Sequence, residues 1–326
     1  MKSSTILFAA MAIALALPAA ADRGGAVGTS PWGPDDELGA LNMMTEISRA
    51  SILSRVSGGA VFDLSVEYFI GMPGWHAAGD PRYQIWMTHT PRGTVKDDPL
   101  HVGEETNGHV SYTGSAVSMY SHTGTHIDAL NHFGLDGKIY NHFRADEYLG
   151  DAGWHVTGAE TIPPIVARGV LIDVAAFLSV EMLPEGYRVS REDLQGALAR
   201  QEVALQPGDV VLIRTGRMAL YEDADRYMKN PPGLGLEAAR FLAEEARAMI
   251  VGADNLSFEA FPSEVDGNYV PVHTYLLAQQ GVPIMELVYL EDLADARIYE
   301  FAFIGGSLKL RGADAAPLRP IALPIN

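Results

Sequence analysis

The segment Ser121-His-Thr-Gly-Thr-His-Ile-Asp-Ala-Leu-Asn-His-Phe-Gly134 concentrates four metal-ligand side chains in a short piece of chain. It places His122, His126, Asp128 and His132 within eleven positions, although the whole chain has only ten histidines. Imidazole and carboxylate groups are the ligands that divalent zinc, manganese and iron prefer. The segment therefore indicates a metal site, and a metalloenzyme is the class of protein that it favours.

Neither regular backbone conformation brings these four side chains to one ion. A straight strand would hold His122 about 13 Å from His126, at about 3.3 Å per residue. A straight helix would bring these two together but would turn Asp128 and His132 to another side. Gly124, between two threonines, favours a sharp bend of the backbone. We expect a strand end, a tight loop and then a short helical turn that Asp128 caps.

The amino terminus has the pattern of a secretory signal peptide. Residues 1–21 contain one lysine, an apolar stretch from Ile6 to Leu17 and three consecutive alanines at the end, which is the usual order of such a segment. We expect cleavage near Ala21 and a periplasmic or secreted protein. The mature chain, residues 22–326, is expected to form a single domain with an N-terminal arm.

Composition limits the partners that the mature chain can have. The formal net charge is −18, and removal of residues 1–21 makes it one unit more negative because that segment holds one lysine and no acid. Nucleic acid and anionic membrane surfaces are poor partners for such a charge. No later segment approaches the roughly 20 apolar residues that span a bilayer, so we expect no membrane insertion. The chain has no cysteine, so stability must come from its core and from oligomerisation.

The hydrophobic pattern predicts a mixed α/β fold. Short β-rich apolar runs occur at residues 61–66, 170–174, 210–214, 249–251 and 282–288. Helical patterns lie between them at residues 194–205, after the capping box that begins at Ser190, and at residues 236–248. After residue 169 strands and helices alternate, as layered α/β proteins require.

Two residues far from the histidine segment are candidates to complete the site. His273 is the only histidine after His155. Glu286 is a carboxylate inside a strand-like apolar run, where a buried charge is costly unless a cation compensates it. The alternatives are a histidine satisfied by backbone groups and a glutamate on the outer face of a strand. Asp254, at the end of another predicted strand, is either a further site residue or an ordinary turn aspartate.

These motifs together resemble the cyclase family of metal-dependent hydrolases, which includes kynurenine formamidases and isatin hydrolases. The resemblance rests on the pattern His122-x-Gly-Thr-His126-x-Asp128-x-x-x-His132, followed far downstream by His273 and Glu286. It also extends to Trp32-Gly-Pro-Asp-Asp-Glu-Leu-Gly-Ala-Leu-Asn42 and to the two strand-like runs that begin at Gly169 and Gly208.

The resemblance implies a fold and a role for each motif residue. The fold would be a compact α/β arrangement, with a swivelling β/β/α-type core, a mixed barrel-like sheet and surrounding helices, assembled as a homodimer or homotetramer. His122, His126 and Asp128 would bind a zinc or manganese ion, and His273 with Glu286 would complete the centre. His132 would be the general base or a second-metal ligand, and Glu286 is an alternative base.

Aromatic residues predict how a substrate is held. Trp75 and Trp86 lie in a Gly- and Pro-containing stretch that reads as a long loop, and they could form a lid or wall for a planar substrate. Their alternative role is to anchor the loop to the protein body or to a neighbouring subunit. Tyr140, with Asn141 and Arg144 just after the histidine segment, could orient a carbonyl or carboxylate, unless these are plain surface residues.

The resulting hypothesis is an arylformamidase-like amidohydrolase that cleaves a C–N bond in a small amide, formamide or lactam. A bound divalent ion would make hydroxide available near neutral pH, so no nucleophilic serine is needed, and a Gly-x-Ser-x-Gly elbow is absent. The alternative is a non-catalytic periplasmic metal-binding or sensor protein that uses the same ligands.

Overall fold

The computed structural model describes residues 25–326. The predicted signal peptide, residues 1–21, lies outside the described residues. Within residues 25–326 no helix combines the length and the apolarity that crossing a membrane requires.

A mixed sheet of nine strands curls into a half barrel and carries the fold. Its strands, with those of three small two-stranded sheets, are β1 Phe62–Asp63, β2 Gln84–His89, β3 Gly114–Ser118, β4 His126–Asp128, β5 Leu149–Gly150, β6 Gly153–Trp154, β7 Ile165–Asp173, β8 Arg188–Val189, β9 Val210–Arg214, β10 Gly233–Leu234, β11 Ile250–Ala253, β12 Ile284–Glu286, β13 Glu300–Gly305, β14 Ala315–Pro317 and β15 Ile321–Pro324. The large sheet has the order β1-β15-β13-β7-β9-β11-β12-β4-β14. This architecture confirms the predicted α/β class with a barrel-like sheet.

Helices surround the sheet. The α-helices are α1 Glu46–Ser54, α2 Pro91–Asp97, α3 Glu104–His109, α4 Ala145–Tyr148, α5 Val174–Phe177, α6 Arg191–Gln201, α7 Ala224–Tyr227, α8 Leu236–Arg240, α9 Pro271–His273 and α10 Glu291–Asp295. Two of them continue as π-helical segments, Phe241–Glu245 after α8 and Thr274–Gln280 after α9. Short 3-10 turns occupy Gly39–Met43, His76–Ala78, Tyr140–His142, Ala159–Thr161 and Arg217–Leu220.

The centre of the sheet is parallel, and helices connect its successive strands along the chain. β7, β9, β11 and β12 pair in parallel, and the first four residues of β9 are buried. Continuous apolar runs of this kind are typical of strands buried on two sides. The strands predicted at 210–214 and 249–251 are thereby confirmed, whereas the run at 170–174 belongs to the end of the longer β7.

Local sequence signals predict where α6 begins but not where it ends. Ser190 accepts a hydrogen bond from the Asp193 amide, and the Asp193 side chain accepts from the Ser190 amide, which confirms the predicted capping box. The predicted end at residue 205 is wrong. Glu202 adopts a left-handed conformation with φ 58°, and the Val203 amide turns back to donate to the Leu198 carbonyl. The helix therefore stops at Gln201.

Antiparallel strands at one side of the sheet place the histidine segment. β4 pairs with β12 on one side and with β14 on the other, antiparallel in both cases. It is therefore an interior strand, and its three residues are all buried. This pairing brings the histidine segment into contact with β12 and β14, which come from the last fifth of the chain.

Candidate metal centre

The register of β4 against β12 creates the core of the site. His126 lies directly opposite Glu286, and Asp128 lies opposite Ile284. Alternate residues of a strand share a face, so His126 and Asp128 point to the side that Glu286 also occupies. Ile127 points to the other side, where it is fully buried in the hydrophobic core. Pairing of two short strands thus brings three predicted ligands together.

A bend at Gly124 places His122 beside this face. Gly124 has φ +66°, a left-handed conformation that glycine adopts without the penalty of a side chain. A β-carbon at this position would lie 2.3 Å from the ring of Tyr68. The turn lets the Nδ1 atom of His122 approach the Oδ1 atom of Asp128 to 2.9 Å. The predicted bend is therefore present, and it has two separate reasons to require glycine.

Replacing Gly124 with alanine is expected to destabilise the protein by about 2–4 kcal/mol, since left-handed strain of about 1–2 kcal/mol adds to the overpacking of Tyr68. The free energy of unfolding in urea measures this effect. Gly137→Ala is the matched control, because Gly137 has φ +74° and open space where its β-carbon would be. Equal losses in the two variants would contradict the assigned contact with Tyr68.

His126 is held in the tautomer that a metal ligand needs. Its Nδ1 atom lies 2.8 Å from the carbonyl oxygen of Gly124. A carbonyl can only accept, so Nδ1 carries the proton and the neutral ring keeps a lone pair on Nε2. That Nε2 atom lies 3.4 Å from Oδ1 of Asp128 and 3.3 Å from Oε2 of Glu286. The contact with the Gly124 carbonyl thus orients Nε2 of His126 toward the carboxylates of Asp128 and Glu286.

His273 contacts the same carboxylates from a separate part of the chain, and its ring is oriented in the same manner as that of His126. It lies in α9, and its Nδ1 atom is 2.6 Å from Oε1 of Glu259. The same carboxylate accepts hydrogen bonds from the backbone amides of Val272 and His273. The free Nε2 atom lies 3.3 Å from Oε1 of Glu286 and 3.9 Å from Oδ2 of Asp128. A carboxylate behind a ligand histidine is typical of metal centres.

Buried ligand atoms without hydrogen bonds indicate that a cation belongs here. Within residues 25–326 no well-aligned hydrogen bond reaches His122 Nε2, His126 Nε2 or either carboxylate oxygen of Asp128, although His122 Nδ1 lies 2.9 Å from Oδ1 of Asp128. Leaving such buried polar atoms unsatisfied is costly. All four are nitrogen or oxygen donors suited to zinc or manganese. The residues present therefore fit a divalent metal ion.

Electrostatics favour the same conclusion. Burial lowers the pKa of His126, but the contacts with Asp128 and Glu286 outweigh it and raise the pKa to about 10. Burial likewise lowers the pKa of His273, and Glu259 with Glu286 raises it to about 10. Burial raises the pKa of Glu286, yet contacts with His126 and His273 bring it below its ordinary value. The carboxylates thus hold positive charge strongly, as a proton or as a metal ion.

His132 lies at the edge of the cluster and is connected to it through Asp314. Its ring centroid is 4.1 Å from that of His122. Oδ2 of Asp314 lies 3.4 Å from His122 Nε2 and 3.5 Å from His132 Nδ1. Burial lowers the pKa of His132, and the charges of His122 and His273 act in the same direction. A neutral imidazole at the cavity edge is a competent proton acceptor near neutral pH.

The expected helical turn after Asp128 is wrong. Asp128 belongs to β4 and points into the ligand cluster, so its carboxylate caps no helix. The chain turns instead through a hydrogen bond from the His132 amide to the Ala129 carbonyl. A further bond from the Ala129 amide to the Asp314 carbonyl ties this turn to the segment before β14. Tertiary pairing with β12 and β14 outweighs the local capping signal.

The candidate ligands form two groups that share one carboxylate. His122, Asp128 and His132 present one ligand atom each within 4.8 Å of one another, and so do Asp128, His273 and Glu286. Asp128 Oδ1 faces His122 and His126, whereas Oδ2 faces His273. The cluster has enough ligands for one ion or for two.

A cavity of about 320 Å³ opens onto this cluster. It is lined by Trp75, Ala78, Asp80, Tyr120, His122, His132, Phe133, Leu256, Ser257, Phe261, Tyr269, Val270, His273 and Glu286. Of the three predicted substrate contacts, only Trp75 lies in this wall.

The other two predicted contacts lie elsewhere. The predicted place of Tyr140 is corrected by the structure, because its side chain is buried in the hydrophobic core. Its ring packs closely on Gly281, and a β-carbon added to Gly281 would lie 2.4 Å from it. Trp86 lies in β2, which pairs only with β3, and it is half exposed outside the cavity wall. Both were assigned from nearness to the motif or from aromatic character, and neither property places a side chain in a cavity.

Three other polar candidates have structural partners. Asp254 is fully buried and accepts hydrogen bonds from Thr215 and from the Gly216 amide, and burial raises its pKa to about 6. Asn141 donates to carbonyl groups of the N-terminal arm. Arg144 is exposed and pairs with Asp146. None of the three lines the cavity.

Sequence reasoning missed three residues of the site. Glu259 and Asp314 are single acids in irregular segments, and Tyr120 stacks on His122 with ring centroids 4.7 Å apart. Tyr120 adjoins the histidine segment, so its position was a usable signal. Glu259 and Asp314 carry no local pattern, because each reaches its histidine only through the tertiary fold.

Fold and site together define an α/β protein with a buried histidine and carboxylate centre. Residues 62–260 match the family described as "Putative cyclase". The solved structure of a novel cyclase is similar over 90% of this chain and 97% of its own, with 30% identity and a TM-score of 0.79. The chain belongs to the cyclase family, as the sequence motifs predicted.

More distant structures share the fold. Isatin hydrolase A from Ralstonia solanacearum is 22% identical over 81% of this chain and 92% of its own, with a TM-score of 0.61. Isatin hydrolase A from Labrenzia aggregata, solved with benzyl benzoate, is 20% identical over 82% of this chain and 94% of its own, with a TM-score of 0.60. The comparison with curated protein sequences returns no significant match.

Proposed function

We propose that this protein is a metal-dependent hydrolase that cleaves a C–N bond in a small amide, formamide or lactam. The observation that carries the proposal is the set of buried ligand atoms without hydrogen bonds on His122, His126 and Asp128. A cavity reaches this cluster through His122, His273 and Glu286. Family membership and the isatin hydrolases among the similar folds support hydrolysis as the reaction.

Each candidate ligand has an expected place in the metal centre. His122, His126 and Asp128 would bind a zinc or manganese ion, and His273 with Glu286 would complete the centre. When bound, the ion supplies Lewis-acid chemistry, which lowers the pKa of water and polarises a carbonyl group. Glu259 keeps the Nδ1 proton of His273 directed away from the centre.

Proton transfer belongs to His132 in this proposal. Both oxygens of Glu286 face imidazole nitrogens at 3.3 Å, which commits that carboxylate to the ligand cluster. His132 lines the cavity, and burial lowers its pKa, so its ring is neutral at neutral pH. It would take the proton of the attacking water and pass it to the leaving nitrogen. The carboxylate of Asp314 lies next to the Nδ1 atom of His132.

The cavity wall favours a small planar substrate. Its volume of about 320 Å³ lies at the lower end for small-molecule sites. Aromatic side chains from three segments face this space, and flat rings stack well on planar groups. Anilides and fused lactams have this shape, and their carbonyl group could reach the ligand cluster.

A hydrolysis screen coupled to metal analysis tests the proposal. Purified protein should contain zinc or manganese and should hydrolyse at least one of N-formylkynurenine, isatin and related cyclic amides. The competing function is a metal-binding or sensor protein with the same ligands. Bound metal without hydrolysis of any member of a broad amide and lactam panel would favour that alternative and contradict the proposal.

We infer that copies of this chain associate through the β2–β3 hairpin. Ile85, Met87 and Val117 share one face of the hairpin and are 45%, 52% and 49% exposed. Among the described strands, β2 and β3 pair only with each other. An isolated two-stranded hairpin is marginally stable in water, and a second copy of the same apolar face would cover it. This is the basis for proposing a homodimer or homotetramer.

Replacing Ile85 and Met87 together with serine is expected to shift the protein toward monomer, because the apolar face of the hairpin is lost. Light scattering after size-exclusion chromatography measures the mass. Ile47→Ser is the control, since Ile47 is 82% exposed on α1. A monomeric wild type, or an oligomer unaffected by the double substitution, would contradict the assigned interface.

A further inference from the structure

The cavity above the ligand cluster has walls that suit a cation as well as a planar ring. Trp75 packs edge-on against Phe261 with centroids 5.7 Å apart, and Phe133 packs against Tyr269 at 6.3 Å. The indole nitrogen of Trp75 donates to the Leu256 carbonyl at 3.0 Å, which fixes the ring. Aromatic faces attract ammonium groups electrostatically. Trp75 therefore gives this wall a fixed ring.

One carboxylate in this wall has no counter-charge. Asp80 lines the cavity and is partly buried. Across residues 25–326 its side chain makes no hydrogen bond or ion pair, and its backbone carbonyl lies 3.4 Å from Nδ1 of His76. The other acid in the lining, Glu286, contacts His126 and His273. Asp80 thus differs from Glu286, because no imidazole of the described residues lies within ion-pair distance of its carboxylate.

The cavity also offers no lysine or arginine to pair with an anion. Its lining contains neither lysine nor arginine. Asp80 is the one acid in this lining outside the ligand cluster, so it places a negative charge in this part of the wall. A carboxylate on a substrate would meet repulsion here, whereas an ammonium group would meet Asp80 and aromatic faces. Specificity often depends on such a repulsive element as much as on attraction.

We propose that Asp80 selects substrates that carry a cationic amino group on the ring opposite the scissile amide, and that it excludes substrates with a carboxylate there. The proposal rests on the proposed C–N hydrolase function and names the substrate class of the same site. Asp80 binds the ammonium group, Trp75 and its neighbours flank the ring, and the amide carbonyl faces the ligand cluster. Asp80 acts on substrate choice and takes no part in bond cleavage.

Three formanilides that differ only in the para substituent test this selection. They are 4-(aminomethyl)formanilide, which is cationic at neutral pH, formanilide, which is neutral, and 4-formamidobenzoate, which is anionic. In each reaction the C–N bond of the formyl group breaks and a C–O bond to the water oxygen forms. Formate and the free arylamine result; one proton of that water goes to the nitrogen and the other is released to solution.

The metal-loaded full-length protein should have the highest kcat/KM for the cationic formanilide and the lowest for the anionic one. Asp80→Asn should lower the ratio of the cationic to the neutral substrate about fivefold, as a partly exposed ion pair implies. Asp80→Lys should reverse the order of the cationic and anionic substrates. A ratio measured on one preparation cancels any difference in the fraction of folded protein.

Asp151→Asn is the matched control for charge. It removes the same unit of charge at an exposed position outside the cavity lining, so the substrate ratios should not change. Equal changes in the Asp80 and Asp151 variants would mean that only the overall charge of the protein matters. That result, or an unchanged ratio in Asp80→Asn, would overturn the assigned role of Asp80.

Binding of the three arylamine products separates this inference from the proposed function. Calorimetry with aniline, 4-(aminomethyl)aniline and 4-aminobenzoate reports selection without any bond cleavage. If no formanilide is hydrolysed but the cationic amine binds in a manner that depends on Asp80, the selection stands and the proposed reaction fails. If hydrolysis occurs without dependence on Asp80, the reaction stands and the selection fails. Neither hydrolysis nor Asp80-dependent binding would overturn both.

Discussion

Replacing His126 with alanine is expected to abolish both metal retention and hydrolysis. His126 is fully buried, and its Nε2 atom lies between Asp128 and Glu286. Its loss removes a ligand and leaves two buried carboxylates facing each other with less compensation. Loss of an outer partner of a metal ligand already weakens affinity about 10–100-fold, so we expect a loss above about 100-fold for a direct ligand. Metal content by mass spectrometry and hydrolysis rate measure the two effects.

His155→Ala is the control for this experiment. His155 is exposed and lies outside both candidate ligand groups, so its replacement should leave metal content and rate unchanged. Circular dichroism of the His126 variant establishes that the fold persists. A folded His126→Ala protein that keeps its metal and its rate would show that the histidine segment does not bind a catalytic ion.

Replacing His132 with alanine is expected to lower kcat by about 10²–10⁴, the usual contribution of a general base, while the metal remains bound. The side chain of His132 is 16% exposed at the cavity edge, whereas that of His126 is 0% exposed. Burial lowers the pKa of His132, which keeps the free base available at neutral pH. Turnover number and metal per chain, measured on the same preparation, separate the base from the ligand role.

His132→Gln is the matched variant, because it keeps a polar side chain but cannot exchange a proton. It should lose as much kcat as the alanine variant. Loss of metal in step with activity in both variants would assign His132 to the ligands, as one of the two candidate groups allows. Undiminished kcat would remove it from the mechanism altogether.

The sequence predicted the class of fold and the residues of the site better than it predicted the local backbone conformation of the histidine segment. The spacing of His122, His126 and Asp128 required a bend, and Gly124 supplies it with a left-handed φ. Buried strands such as β9 were recognisable from apolar runs alone. The helical turn after Asp128 was wrong because pairing of β4 with two neighbouring strands determines that backbone, and tertiary pairing has no local signature.

Distant residues of the site were predictable only where their type was unusual for its surroundings. Glu286 stood out as a charge in an apolar strand, and the register that places it opposite His126 explains its position. Asp80, Glu259 and Asp314 lie in irregular segments where acids are common, so nothing marked them. Tyr140 is near the histidine segment along the chain but not near the cavity in space, because its ring is buried in the core.

Reconstitution of the metal-free protein determines whether the ligand cluster holds a catalytic ion. Chelator-treated protein is titrated with zinc or with manganese, and bound metal per chain is measured together with the rate on an amide that the untreated protein hydrolyses. We expect no hydrolysis without metal and a rate that rises in proportion to occupancy until the ligand cluster is filled. Full activity in protein stripped of metal would contradict this expectation.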